Sequence, residues 1–131
     1  MDAATLETFL RAAGLDPRPV AAAHGSADGS ADGSADGSER WVGTLSARGQ
    51  VWEVRARRTS NWLVLEAGPL PAAPHDVLLR ANRTLGLARY ALQGDRILVL
   101  ADLPTTSLDP PEVAAAIAAI GAALDQYPTS T

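Results

Sequence analysis

Two hydrophobic periodicities alternate along this chain, and the clearest lies near its end. Val113, Ile117, Ile120 and Leu124 are spaced by four, three and four residues, which stacks them on one face of a helix. The residues ahead of them supply a start signal. Asp109 offers an N-cap carboxylate, Pro110 and Pro111 stand in the first turn where a missing N–H costs nothing, and Glu112 is placed to reach back to the cap. Full burial of such side chains stabilises by roughly 1.5–3 kcal/mol each, so the helix must dock on something. Just upstream, Leu87 to Leu92 and Arg96 to Ala101 read as strands joined by the turn Gln93-Gly94-Asp95. Ile97-Leu98-Val99-Leu100 does not alternate apolar with polar, so the pattern predicts a cover on both faces of that strand.

The first half reads in the same way. Asp2 caps a helix to about Ala13 that carries Leu6, Phe9 and Leu10 on one side; Gly14 stops it, and Pro17 and Pro19 forbid its continuation. Trp41 to Ala47, Gln50 to Arg58 and Trp62 to Ala67 then form a three-stranded meander with a tight turn at Arg48-Gly49. Gly68-Pro69-Leu70-Pro71 is expected to break it. Pro74 opens a second helix with Val77, Leu78, Ala81 and Leu85 on its apolar side and Gly86 as its end. The predicted order is αβββαββα, an α+β class. Residues 25–38 repeat Gly-Ser-Ala-Asp three times and then end in Gly37-Ser38. Such residues bury too little to offset the entropy of ordering, so residues 20–39 are expected to be a flexible loop inside a single domain spanning 1–131. Calcium-binding nonapeptide repeats need paired glycines and a large apolar residue in each turn, and the insert has neither.

Composition narrows the chemistry. No window approaches the roughly 18 apolar residues of a membrane span, and Met1-Asp2-Ala3-Ala4 is acidic where a secretory signal is basic. A cytoplasmic protein without a membrane partner is expected. The absence of cysteine removes disulfides, thiolate metal sites and cysteine nucleophiles together. All 11 basic residues are arginine, yet the net charge is −4, the wrong sign for a surface that grips phosphate broadly. Direct nucleic-acid binding is therefore disfavoured. His24 and His75 have no metal-ligand spacing, and the chain has no Gly-x-Ser-x-Gly, no phosphate-binding glycine loop and no carboxylate pair fixed on one element. The expectation is a non-enzymatic protein with no catalytic residue, cofactor or metal.

Trp41, Trp52 and Trp62 fall one per strand of the meander. They can pack as core or as a dimer seam, or they can anchor a partner peptide in a groove. Arg55, Arg57 and Arg58 with Trp52 form a basic, aromatic-containing cluster. Such a cluster can stack single-stranded nucleic acid, dock an acidic protein segment, or form a solvated strand face with Arg55 and Arg57 pointing outward beside Glu53.

Leu78-Leu79-Arg80-Ala81-Asn82, the strand Leu87 to Leu92, Arg96 to Leu103 ending in Asp102-Leu103-Pro104, and Leu108-Asp109-Pro110 together resemble the type III secretion chaperone-like superfamily, within it the YbjN-like branch. The likeness covers the chain from Leu78 onward by motif and the N-terminal half by element order. It implies helices packed on a five-stranded antiparallel sheet and a homodimer formed through the second helix and the strand after it, which places Leu78, Leu79, Leu87 and Tyr90 in the seam. It also implies binding of a segment of another protein without nucleotide or metal. On this expectation the chain is a protein-binding adaptor or chaperone-like homodimer acting in stress response or regulation, and the partner protein meets Trp52, Trp62, Arg55 and Arg57. The alternative is a regulatory factor acting on single-stranded nucleic acid, or on a protein that binds it.

Overall fold

A computed structural model describes residues 2–20, 39–59 and 61–127. The expected flexible loop lies outside them apart from its end residues, Val20 and Glu39. Helix α1 (Ala3–Ala12) starts as its sequence dictates, with the Asp2 carboxylate accepting the Thr5 N–H at 2.8 Å. It buries Leu6 and Leu10 and stops before Gly14, whose φ of +95° suits glycine. Then comes β1 (Arg18–Pro19), a two-residue strand paired with β2 (Glu39–Ala47). A hairpin turn with positive φ at Arg48 and Gly49 leads into β3 (Gln50–Arg58), and β4 (Trp62–Leu70) completes the meander. Helix α2 (His75–Asn82), β5 (Arg89–Gln93), β6 (Arg96–Pro104) and helix α3 (Pro110–Asp125) follow.

The strands form one antiparallel sheet of six, in the order β1-β2-β3-β4-β6-β5. The five strands read from the pattern are all present, and β1 is an addition to them. Two residues are too few to show an alternation, and proline is tolerated at a sheet edge. Two further expectations are corrected. Gly68-Pro69 does not end β4; the strand bulges there and pairs again at Leu70 with Ile97, because Gly68 takes the φ of +135° that the bulge requires. Helix α2 ends at Asn82, four residues before Gly86, and its last carbonyls are taken by the N–H groups of Arg83 and Thr84 in a tight turn.

Helices α1 and α3 cover one face of the sheet. Trp41, Val54, Ala56, Leu63, Leu65, Ala67, Val99 and Ala101 point toward them and are buried. On α3, Val113, Ile117, Ile120 and Leu124 are all buried, and the predicted capping box is complete: Asp109 accepts the Glu112 N–H at 2.9 Å, and Glu112 accepts the Asp109 N–H at 3.1 Å. Replacing Asp109→Ala removes the carboxylate half of that box, while the backbone N–H on Glu112 stays, and is expected to cost about 1 kcal/mol, read as a lowered urea midpoint at constant slope. An unchanged midpoint would show that the box does not hold the helix.

The opposite face carries no helix among the described residues. There Val42, Arg55, Glu66, Leu100 and Arg89 form one cross-strand row, and Arg40, Arg57, Val64 and Asp102 form the next. Leu98 belongs to this face yet is only 3% exposed. It lies over the bulge, where Gly68 leaves room for it: a Cβ on that glycine would stand 3.0 Å from Leu98 Cδ2. The second cover predicted for Ile97 to Leu100 is thus supplied, at Leu98, by the chain itself.

Candidate functional site

Two surfaces combine apolar area with polar groups. The first is a groove of about 310 Å³ between α2 and the edge strand β5, lined by His75, Leu78, Leu79, Asn82, Tyr90 and Leu92. Leu79 is 68% exposed and Leu92 49%; Leu87, in the bend before β5, is 47% exposed. Of the six large apolar side chains that stand exposed among the described residues, two share this groove, and such concentration marks a docking face more than scattered exposure does. Leu78 and Tyr90 are buried in their own chain, so of the four residues assigned to the seam only Leu79 and Leu87 offer free surface. The Tyr90 hydroxyl donates to the Ala123 carbonyl on α3 at 2.6 Å, and its ring meets Tyr127 edge-on at 5.4 Å. Burial, with a smaller push from Tyr127, raises the Tyr90 phenol to about 12; burial raises that of Tyr127 as well.

Asn82 closes part of the β5 edge. Its side-chain amide donates to the Tyr90 carbonyl at 3.1 Å, and its carbonyl accepts the Tyr90 N–H at 2.8 Å. The outward backbone groups of the edge strand are therefore already taken at Tyr90, and a partner approaching there meets side chains before backbone.

The second surface is the uncovered sheet face. A hollow of about 280 Å³ lies between Val20, Val42 and Val64, with Arg40, Arg55 and Arg57 around it and Glu66 as its one carboxylate. Arg55 is fully engaged: its guanidinium donates to Glu66 and Glu53, each at 3.1 Å, and to the Gly68 carbonyl at 3.3 Å. Arg40 and Arg57 differ. They are direct cross-strand partners, and neither has a carboxylate or other polar partner among the described residues. Like charges directly opposite on one face destabilise a sheet.

The tryptophans do not gather on one face. Trp41 is core, its indole N–H donating to Glu7 at 3.2 Å. Trp52 lies on the same helix-covered side, half-buried, with its N–H donating to the Ala47 carbonyl at 3.1 Å. Trp62 points to the uncovered face and is 46% exposed. The register decides this, because Leu45 pairs with Trp52 and Arg58 with Leu63, which leaves Trp62 in the opposite phase. The four residues expected to meet a partner are therefore divided, with Trp62, Arg55 and Arg57 on one face of the sheet and Trp52 on the other. Sequence reasoning passed over Arg40, Val64, Leu92 and Asn82. The first two become legible only once the strand register is known.

Among the described residues no group of three or more histidines and carboxylates is close enough to hold a metal ion, and no helix is long and apolar enough to cross a membrane. No family model matches the chain, and no curated protein matches it either.

Proposed function

We propose that this protein is a non-enzymatic, protein-binding adaptor that pairs with a second copy of itself through the α2–β5 groove and holds a segment of another polypeptide on its uncovered sheet face. The observation that carries the reading is the exposure of Leu79 and Leu92 in one groove. Burying two such leucines favours association by roughly 1.5–3 kcal/mol each in transfer terms, before the entropy of association is subtracted. The likeness of residues 78–110 to the secretion-chaperone-like superfamily points the same way, since it implies pairing through this helix and strand. The α2 surface is otherwise close to neutral, with Arg80 paired to Asp76 at 2.9 Å, so the seam is apolar in character.

Light scattering on the purified chain tests the pairing. At tens of micromolar the mass should be twice 13.6 kDa, and the double variant Leu79→Glu/Leu92→Glu should run as a monomer with unchanged far-UV circular dichroism. A wild-type monomer at that concentration sinks the homodimer. A double variant that still pairs moves the seam elsewhere.

A further inference from the structure

We infer that the Arg40–Arg57 pair, with the valine floor beside it, receives an acidic segment of an extended partner polypeptide. This rests on the reading above that the chain binds polypeptide, and it names the chemistry of what is bound. Four observations carry it. The two guanidinium groups are set opposite each other on adjacent strands and have no partner among the described residues, whereas the neighbouring arginines of the face are paired, Arg55 with Glu66 and Arg89 with Asp102. Arg18, in register with Val42, adds a third arginine without an ion-pair partner among the described residues at the same corner. The protein as a whole carries a charge of −4, so this local positive excess runs against its average. The floor beneath it is Val42 and Val64, aliphatic and half-buried.

An anion placed between Arg40 and Arg57 turns their mutual repulsion into two charge-assisted hydrogen bonds. An extended peptide presents side chains at alternating positions, so acidic groups can meet the arginines while apolar ones rest on the valines. A phosphate chain fits less well: the same face carries Glu53, Glu66 and Asp102, which repel a continuous row of negative charge, and the one aromatic residue among the described residues that line the hollow, Trp41, is buried with its indole N–H on Glu7 of the helix-covered side, so it offers no ring to stack a base.

Fluorescence anisotropy tests the inference with three labelled decapeptides that alternate valine with glutamate, glutamine or lysine, and with a labelled oligothymidylate. The glutamate peptide should bind the wild-type protein at least about tenfold more tightly than the glutamine peptide, the scale of one to two charge-assisted bonds, and the lysine peptide should not bind. Arg57→Glu should abolish that preference without lowering the melting temperature, because the new carboxylate stands opposite Arg40; Arg40→Gln should weaken it and also remain folded. Equal binding of the glutamate and glutamine peptides, no binding of either, or preferential binding of the oligothymidylate overturns the inference. A dimer that ignores the glutamate peptide removes this inference and spares the proposed pairing, and a monomer that binds it does the reverse.

Discussion

Leu98→Ala should lower the unfolding free energy by about 2–4 kcal/mol, the usual cost of emptying a leucine site that cannot collapse, and the loss should be the same at every protein concentration. The side chain is 3% exposed within a single chain, on the sheet face that no helix covers among the described residues. Its cover is the β4 bulge at Gly68, held in turn by the Arg55 guanidinium on the Gly68 carbonyl. Leu79→Ala supplies the contrast. At 68% exposed, Leu79 contributes little to the isolated fold, so its truncation should shift the urea midpoint by less than about 0.5 kcal/mol where the chain is monomeric and should weaken pairing at higher concentration. Denaturant titrations at two concentrations a hundredfold apart separate these cases. A Leu98→Ala penalty that grows with concentration would mean that a second copy covers this side chain and that the bulge does not.

That distinction locates what the sequence could and could not disclose. Elements with chemical punctuation were legible: Asp109 with Glu112 marked the start of α3, Asp2 and Gly14 bounded α1, and Arg48-Gly49 and Gln93-Gly94-Asp95 placed two hairpins. In each case a side chain or a glycine satisfies a local backbone need, and local needs are written locally. The apolar run Ile97 to Leu100 was read as lacking a water-facing side, and Ile97, Leu98 and Val99 are buried while Leu100 is only half-buried on the uncovered face; the cover that Leu98 finds depends on a bulge thirty residues upstream. Gly68-Pro69 looked like a strand end because both residues disfavour regular pairing; the sheet absorbs them instead and recovers its register at Leu70. The faces of Trp52 and Trp62 were illegible for the same reason, since one residue of register moves every side chain of a strand to the other side. The opposition of Arg40 and Arg57 is a matter of pairing alone. No count of charges along the chain brings these two together.

The uncovered face also sets a limit on the groove. Asn82 occupies the backbone of β5 at Tyr90, so continuation of the sheet into a second copy is blocked there, and the proposed pairing would rest on Leu79 and Leu92. The same amide fixes where α2 sits against β5 and so keeps Leu79 and Leu92 on one groove. The adaptor reading therefore assigns separate tasks to separate surfaces: apolar side chains between α2 and β5 for self-pairing, and a cationic hollow on the uncovered face, chiefly of β2, β3 and β4, for the partner.

Raising the pH from about 9 toward 12 should remove on the order of 2 kcal/mol of stability, through the tyrosines. The chain has no lysine and no cysteine, and its arginines stay charged throughout, so Tyr90 and Tyr127 are the side chains that titrate in this window. The sign follows from which form the fold prefers. Tyr90 is held neutral in the folded state, raised to about 12 chiefly by burial, whereas in the unfolded chain it ionises near 10. Below pH 10 both states are protonated and its contribution is fully present. Above 10 the unfolded state gains by losing the proton, and stability falls until the folded phenol also ionises near 12, at about 1.4 kcal/mol per unit of separation. Tyr127, also raised by burial and donating to the Pro71 carbonyl, adds in the same direction. Tyr90→Phe loses the bond to Ala123 and should cost about 1 kcal/mol at neutral pH, but it should flatten most of the alkaline decline. Urea unfolding at several pH values, read beside the phenolate absorbance of the native protein, checks both halves; two tyrosines that titrate together near 10 with level stability would refute the buried pair. Because Tyr90 also lines the α2–β5 groove, the midpoint of alkaline unfolding and the loss of pairing in light scattering should fall together.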